Sequence, residues 1–370
     1  MNLSVLLPIP IILPIVSGIL LWMLKVENRN KRQLYVAGTV IVNAVITCLL
    51  AFGAPTAELK LFSVNHQVQF ALQLDRFGAA FAVLVSILWI IAIFYAFEYI
   101  KHEGRETRFM AFYTMTLGVT LGIAFSANTM TLYLFYELLT LVTCPLVCHS
   151  GTKEAITALR YYVAYSLGSA ALGLMGIAGL AVLTGRTEFV LGGVLGSLTQ
   201  YENVMLFFFI CAFFGFGMKA AVVPLHGWLP RASVAPTPVT ALLHAVAVVK
   251  AGVFAITRVT YFSFGTEFLK GTTVQTIAIL ICIATILFGS TKAAFTKHLK
   301  RRLAYSTVSQ LSYIVFGMMM MSPEASAPEC CIWLPTQSQR LRCSTVQEQF
   351  CTRLAKNMFG NWRESEERCL

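Results

Sequence analysis

The sequence contains few charged residues for its length. Only 12% of its 370 residues are Asp, Glu, Lys or Arg, whereas 57% are hydrophobic and the mean hydropathy is +0.71. Soluble domains cover their surface with charged and polar side chains, so this scarcity excludes a soluble protein. Most of the exterior must face lipid instead, which is typical of a polytopic membrane protein.

The sequence also lacks the motifs of cofactor chemistry. Gly215 and Gly217 are followed by Ala220 where a dinucleotide-binding fingerprint needs a third glycine, and no P-loop occurs. None of the 10 cysteines forms a C-x-x-C pair, and no iron-sulfur spacing is present. We therefore predict no cofactor and no metal site in this chain. Any energy for transport has to come from partner subunits or from an ion gradient.

Basic residues outnumber acidic residues, 28 to 17, but their pattern is not typical of nucleic-acid binding. They lie in short clusters between apolar runs, without interleaved aromatic residues on which bases could stack. Such clusters are typical of topology signals beside transmembrane helices. We predict no nucleic-acid partner.

Apolar runs long enough to cross a hydrocarbon core of about 30 Å, which takes about 20 helical residues, recur along the chain. We therefore predict an all-α fold with about ten transmembrane helices, at residues 3–24, 33–53, 77–99, 109–126, 130–149, 158–184, 203–223, 239–262, 273–291 and 303–321. No Lys or Arg precedes the first run and no cleavage site follows it, which favours a helix over a signal peptide. Residues 58–73 alternate in polarity and predict a small outer hairpin.

The loops between these runs differ in their number of basic residues. Alternate loops on one side carry fifteen Lys and Arg, and the other loops carry only Lys60, Arg76, Arg186, Arg258 and Lys270. Cytoplasmic loops carry the excess of Lys and Arg. The bias therefore predicts that the amino terminus lies outside a cell inner (plasma) membrane.

The composition changes near residue 322. Residues 323–370 contain no run that could span a membrane, and they hold five of the 10 cysteines. We predict a transmembrane domain at residues 1–322. The segment 323–370 is predicted to be a polar, cysteine-rich tail that is disordered or comes from a disrupted reading frame.

Three ionisable residues lie inside predicted spans: Glu137, Lys219 and Lys250. A charge in hydrocarbon costs about 2.5 to 3.5 kcal/mol on insertion scales, so such residues are candidates for function. Burial favours neutral side chains and a nearby opposite charge favours charged ones, so these groups can exchange protons when a neighbour moves. The pattern predicts a proton relay. The structural alternative is a buried ion pair that only fixes helix packing.

Proline interrupts the region after Lys219. Pro224 has no N–H, so the carbonyl of Ala220 loses its helical partner and the seventh span should break there. Irregular backbone at membrane depth is tolerated beside protein or water, which predicts either a hydrated cavity near Lys219 or a kink repaired by neighbouring helices. His244, about 240° around an α-helix from Lys250, is a further relay candidate because histidine exchanges protons near neutral pH.

Other polar residues have structural explanations. The tenth span contains side chains that either line water or bond neighbouring helices, namely Ser306, Thr307, Ser309, Gln310 and Ser312. Cys144 and Cys148 with His149 imitate part of a metal shell, but one helix end seldom supplies a complete one, so buried thiols are expected. His226 is expected to be a hydrogen-bonding loop residue.

One run across the seventh and eighth spans identifies a family. It begins at Lys219 and reads KAAVVPLHGWLPRASVAPTPVTALLHA, and the tenth span adds LAYSTVSQ from Leu303. Together these segments resemble the proton-translocating antiporter-like membrane subunits of respiratory complex I, multisubunit Na+/H+ antiporters and membrane-bound hydrogenases. The resemblance extends from the third or fourth predicted span to about Met321.

The resemblance implies a role for each ionisable residue. Glu137 would be the glutamate of helix five, Lys219 the lysine of the broken helix, and Lys250 the lysine that links two half-channels. Members of the family contain two inverted repeats, of which this chain would hold the first complete and the second incomplete. His298 stands where the family often has an acidic residue.

The implied function is translocation of H+, or exchange of Na+ for H+, within a larger complex. The implied partners are other membrane subunits, the lipid bilayer and a redox module. The parent complex could be an NADH:quinone oxidoreductase, a hydrogenase or a non-enzymatic antiporter. Two alternatives stay open: a non-conducting structural subunit or truncated remnant, and a stand-alone transporter of a small solute.

Overall fold

Each predicted span overlaps at least one helical segment. In the computed structural model of the protein, the described residues are 3–24, 26, 28–53, 58–63, 69–195 and 201–321. The elements are α1 (Ile9–Leu24), α2 (Arg29–Gly53), β1 (Glu58–Ser63), β2 (Gln69–Gln73), α3 (Arg76–Tyr99), α4 (Glu106–Ala124), α5 (Thr129–Val147), α6 (Lys153–Thr184), α7 (Glu202–Gly217), α8 (Trp228–Ala232), α9 (Thr237–Ala241), α10 (Val248–Thr257), α11 (Thr266–Leu269), α12 (Thr273–Phe295) and α13 (Leu299–Met319). The predicted tail, residues 323–370, lies outside the described residues.

Short helical segments of other types connect these elements. Single 3-10 turns span Leu3–Leu6, Ile100–His102 and Leu225–Gly227. Two π-helical segments flank α10, which we call the first π segment (Leu242–Val246) and the second π segment (Arg258–Phe264).

Several of these helices are candidate membrane spans by their length and composition. Within the described residues, α2, α3, α5, α6 and α12 are long and apolar enough to cross a membrane, and the shorter α1 and α7 are apolar as well. The seventh and eighth predicted spans are divided into shorter pieces, which is why neither forms one long helix. The predicted all-α, multi-pass membrane fold is confirmed.

The interior of the bundle is formed by α4 and α10. Nearly every residue of α4 from Phe109 to Ala124 is buried, and α10 is buried from Val248 to Ile256. A helix that is covered on every side lies inside a protein, not at its lipid surface. Lys250, on α10, is therefore an interior residue.

Glycines allow α6 and α7 to pack closely. A Cβ placed on Gly215 of α7 would lie 2.2 Å from the backbone nitrogen of Gly173 on α6. Small residues at such crossings let membrane helices approach each other and gain packing energy. This contact fixes α7 against α6 within a turn of the point where α7 ends.

The predicted hairpin is confirmed, and it covers the start of α5. Strands β1 and β2 pair antiparallel with an irregularity between Lys60 and Phe62. The N–H of Ala71 on β2 donates to the hydroxyl of Thr131, 3.0 Å away. Asn128 caps α5, because its side chain accepts from the N–H of Thr131 at 2.8 Å.

The predicted break of the seventh span is confirmed. Regular α-helix ends at Gly217, and the N–H groups of Val222 and Ala221 then donate to the carbonyls of Gly217 and Met218. With Ala221 at φ 57°, these two bonds form a Schellman-type end, in which a left-handed residue satisfies the last helical carbonyls. Lys219 lies inside this final turn.

The prediction of one regular α-helix over residues 239–262 is wrong. The two π segments use i to i+5 hydrogen bonds and enclose only ten residues of α-helix in α10. Turns of that kind contain more residues than α-turns, so the predicted offset of about 240° between His244 and Lys250 does not hold. The hydropathy of the sequence does not indicate where such π turns occur.

The assignment of Arg258 to a loop is also wrong. It begins the second π segment, and only 2% of the residue is exposed. A buried arginine bound to protein groups carries no information about topology, because the loop rule concerns charges at the membrane surface.

Candidate functional site

Lys219 is completely buried at the end of α7. Its Nζ donates a hydrogen bond to the carbonyl oxygen of Tyr136 on α5. The same Nζ lies 3.5 Å from the centroid of the Tyr136 ring. An ammonium over an aromatic face is stabilised by the ring quadrupole, so one residue of α5 supplies two contacts to the Lys219 charge.

Tyr136 is itself held against α7. Its hydroxyl donates to the carbonyl of Phe216 at 3.0 Å, and its ring meets that of Phe216 edge-on at 5.0 Å. These two contacts hold α5 against α7 beside the break. Sequence reasoning did not single out Tyr136, although its position directly before Glu137 was a usable signal.

Glu137 follows Tyr136 on α5 and is half-buried. Its Oε1 is buried and has no hydrogen-bond partner among the described residues. No direct ion pair joins Glu137 to Lys219 in the described part of the chain. The Lys219 ammonium instead binds Tyr136, the residue directly before Glu137 on α5.

Further polar groups continue along α5 from Glu137. Thr140 is buried, and Cys144 follows one turn later. The spacing of i, i+3 and i+7 places these side chains on the same face of the helix as Glu137. The spacing of these three polar residues can be read from the sequence alone and predicts that they share one helix face.

A second set of contacts fixes the far side of the break. The hydroxyls of Thr143 and Tyr162 lie 2.9 Å apart, and the Tyr162 ring packs on Trp228 with centroids 5.1 Å apart. The indole N–H of Trp228 donates to the carbonyl of Met218 at 2.8 Å. The segment after Pro224 therefore returns to the break and adds a second donor to a carbonyl that the N–H of Ala221 already contacts.

Lys250 is 3% exposed, and its helix contacts the break directly. A Cβ placed on Gly252 would lie 2.4 Å from the nitrogen of Ala220 and 2.7 Å from the carbonyl carbon of Lys219. Two residues of α-helix correspond to about 200° of rotation, so Gly252, not Lys250, faces Lys219. The structure brings α10 to the site while the Lys250 side chain leaves the helix in another direction.

The other residues singled out from the sequence lie in different parts of the structure. The backbone of His244 lies in the first π segment, and its side chain is outside the described part of the structure. His226 packs edge-on against Phe288 at 4.6 Å. In the tenth span, the Ser309 hydroxyl donates to the carbonyl of Ile286 on α12 at 3.3 Å, which is a helix-packing contact.

His149, which follows the two cysteines at the end of α5, contacts residues at the start of α4. Cys144 and Cys148 are free and half-buried, whereas His149 is 3% exposed. Nε2 of His149 bonds the carbonyl of Gly104 at 3.2 Å, and Nδ1 lies 3.5 Å from the guanidinium of Arg108. Burial and the Arg108 charge lower the pKa of His149 to about 4. The described residues contain no cluster of three or more His, Cys, Asp or Glu that could hold a metal ion.

A buried ion pair beyond the predicted site joins α3 to the second π segment. The guanidinium of Arg258 binds both carboxylate oxygens of Asp75, at 2.5 and 2.6 Å. Four phenylalanine rings surround it with centroids 4.9 to 5.3 Å away: Phe77, Phe189, Phe254 and Phe262. Sequence analysis missed this pair because it counted Arg258 as a loop charge.

The fold and this site define a multi-pass helical membrane protein with a buried lysine at a helix break beside a half-buried glutamate. The chain belongs to the family described as NADH:quinone oxidoreductase/Mrp antiporter, transmembrane, which matches residues 126–332. The predicted resemblance is therefore confirmed at the level of family.

Individual relatives agree with this assignment. The chain is 29% identical over 333 residues to the NAD(P)H-quinone oxidoreductase subunit 5, chloroplastic, of Lotus japonicus, and 30% identical over 339 residues to that of Buxus microphylla. These alignments cover 85% and 87% of this chain but 43% and 44% of those proteins. The chain thus spans less than half the length of these curated relatives.

Solved structures show the same fold. A chain of the Mrp complex from Dietzia sp. DQ12-45-1b superposes with a TM-score of 0.78 at 21% identity, covering 93% of this chain and 64% of that one. A chain of the membrane-bound sulfane sulfur reductase, an archaeal respiratory membrane complex, gives a TM-score of 0.71 at 19% identity, covering 89% and 70%. At these identities the likeness concerns the fold alone.

Proposed function

We propose that this protein translocates protons as an antiporter-like subunit of a larger membrane complex. Glu137, Lys219 and Lys250 carry the protons, with His244 as a further relay residue. The observation that supports this most strongly is Lys219, which is fully buried at a helix break and donates to the carbonyl of Tyr136, directly before Glu137 on α5, without a direct ion pair to Glu137.

The geometry favours a transferable proton over a static ion pair. A direct, fully bonded pair would hold both charges, whereas the buried Oε1 of Glu137 lacks a partner among the described residues. Water can bridge polar groups that do not touch, and it also carries protons between them. The buried Thr140 hydroxyl, on the same face of α5, extends the polar surface that such water would line.

The required changes in energy are small. A proton that crosses 100 mV gains or loses about 2.3 kcal/mol, which changes a protonation equilibrium about fifty-fold. A change of this size can come from a modest shift in the separation of two charges inside a protein. The end of α7 is a suitable place for such movement, because its last carbonyls are satisfied by a Schellman-type turn and by Trp228 instead of by a continuing helix.

Partners and orientation belong to the same proposal. We infer that the complex contains other membrane subunits and a redox module or an antiporter assembly, and that H+ or Na+ exchanges across it. The excess of basic residues in alternate loops supports an amino terminus outside the plasma membrane. Labelling of single cysteines introduced at the two ends of α2 would measure this orientation. The Arg29 end of α2 should face the cytoplasm and the Gly53 end should face outside, and the reverse would contradict the proposal.

Substitution of the two central residues tests the proposal. In the assembled complex, reconstituted in vesicles with a pH-sensitive dye, Lys219→Ala and Glu137→Ala should each abolish proton transport. Matched controls are Lys270→Ala and Glu202→Ala, which remove the same charges from exposed positions and should leave transport intact. Unchanged transport in both site variants would refute the relay.

The alternative is a non-conducting structural subunit or a truncated remnant. The same vesicles distinguish it, because the unaltered protein would then assemble with its partners and produce no proton flux. A stand-alone solute transporter would instead require flux of that solute by the isolated protein.

A further inference from the structure

Four polar side chains on α2, α3 and α4 are buried without hydrogen-bond partners among the described residues. The atoms are Nδ2 and Oδ1 of Asn43, Oγ of Ser86, Nε1 of Trp89 and the hydroxyl of Tyr113. The exposure of each residue is 0% or 1%. Several neighbouring hydroxyls are satisfied by their own helix, as when Thr47 donates to the carbonyl of Asn43 at 2.8 Å. The four side chains therefore form an exception that needs an explanation.

Three of these side chains converge through measured contacts and helical spacing. The rings of Trp89 on α3 and Tyr113 on α4 pack with centroids 5.5 Å apart. Ser86 precedes Trp89 by three residues, which places the two side chains on one face of α3. Ser86, Trp89 and Tyr113 therefore lie near one another where α3 packs against α4.

Asn43 lies at the level of this region on α2, which packs against α3. The guanidinium of Arg29, at the start of α2, donates to the carbonyl of Phe97, near the end of α3, at 3.2 Å, so the two helices run antiparallel. Asn43 lies ten residues before the end of α2, and Ser86 lies ten residues after the start of α3. At 1.5 Å per residue both are about 15 Å from the same end of the pair, so they stand at one level.

The chemistry of the four groups identifies what they bind. An indole N–H can only donate, an amide both donates and accepts, and the two hydroxyls can do either. None of the four carries a charge, so the set does not suit an ion. Water both donates and accepts, is small enough for a helix interface, and is held in protein interiors by two to four polar partners.

We propose that Asn43, Ser86, Trp89 and Tyr113 form an internal water-binding site, which we call the inner polar site. Bulk water does not reach this depth of a bilayer, and polar groups there have to be satisfied from within. The inner polar site lies on helices other than those that hold Glu137, Lys219 and Lys250. It does not rest on the proposed proton relay, and its hydration is expected to persist when those residues are replaced.

Hydroxyl-radical footprinting tests the proposal in the full chain reconstituted in lipid nanodiscs. Radicals formed from bound water oxidise adjacent side chains, so Trp89 should be oxidised although it is fully buried. Asn43→Leu removes the amide and should reduce oxidation of Trp89 several-fold. The matched control is Thr47→Val, one turn away on the same buried face, which should leave Trp89 oxidation unchanged.

A second variant and a direct measurement keep the test decisive. Tyr113→Phe removes only one hydroxyl and should also lower Trp89 oxidation. This variant serves as the test if Asn43→Leu prevents folding. A high-resolution map of the unaltered protein should show water within hydrogen-bond distance of at least two of the four side chains. Absence of Trp89 oxidation in the unaltered protein, or a map in which the four groups bond directly to each other with no water, would overturn the inference.

Discussion

Removal of the Asp75 carboxylate provides the sharpest test of how this bundle is held together. In Asp75→Asn the side chain keeps its shape, and asparagine is also a good N-cap, so the hydrogen bond from the N–H of Gly78 at the start of α3 is preserved. What is lost is the charge opposite Arg258. The variant therefore isolates the ion pair from the helix cap.

The magnitude follows from the burial of the two partners. The Arg258 side chain is 2% exposed and that of Asp75 is 32% exposed. Removing one member of a buried pair costs about 3 to 5 kcal/mol because the other charge is left uncompensated. Partial access of water to the Asp75 side, and the phenylalanine rings that remain around Arg258, place the expected loss near the lower end, at about 3 kcal/mol.

The assay is the free energy of unfolding in mixed micelles, measured for the variant and the unaltered protein. The matched control is Glu98→Gln, which removes the partner of Lys101 from an ion pair whose glutamate is 74% exposed. Exposed pairs contribute at most about 1 kcal/mol, so this control should be nearly neutral. If Asp75→Asn costs no more than Glu98→Gln, the assignment of a stabilising buried pair is refuted.

Two further predictions concern the break and the end of α5. Gly252→Ala should destabilise the protein by about 1 to 3 kcal/mol and reduce proton transport, because its Cβ would overlap the backbone of Lys219. Gly168→Ala, a helical glycine whose Cβ would meet nothing within 4 Å, is the control and should be neutral or slightly stabilising, and equal effects in both would contradict the close approach. Because the folded pKa of His149 is lowered to about 4, stability should be complete above about pH 6.5 and decrease as pH falls from there toward 4. Unfolding measured across that interval should show a weaker pH dependence in His149→Gln, and an unchanged dependence would contradict the buried neutral histidine.

Much of the architecture followed from local properties of the chain. In hydrocarbon each spanning helix satisfies its own backbone hydrogen bonds, so a long apolar run is enough to indicate its position. The hairpin followed in the same way from alternating polarity. The break after Lys219 was predictable because proline removes a donor wherever it occurs.

The interruptions of the eighth span were not predictable by the same reasoning. The first π segment is apolar, whereas the second contains Arg258, Thr260 and Ser263, so the two share no hydropathy pattern that would indicate a π turn. Their positions depend on how α10 packs inside the bundle, where Gly252 touches the end of α7. The expected geometry between His244 and Lys250 failed for that reason.

The candidate site also has some features that the sequence predicts and others that depend on helix packing. Composition and the chemistry of proline act locally, so they were enough to predict ionisable side chains within apolar runs, one of them beside a helix break. The contacts of Lys219 with Tyr136, 83 residues away, and of Arg258 with Asp75, 183 residues away, could not be predicted in this way. Contacts of that range arise when helices pack, and packing depends on the surfaces of many helices at once.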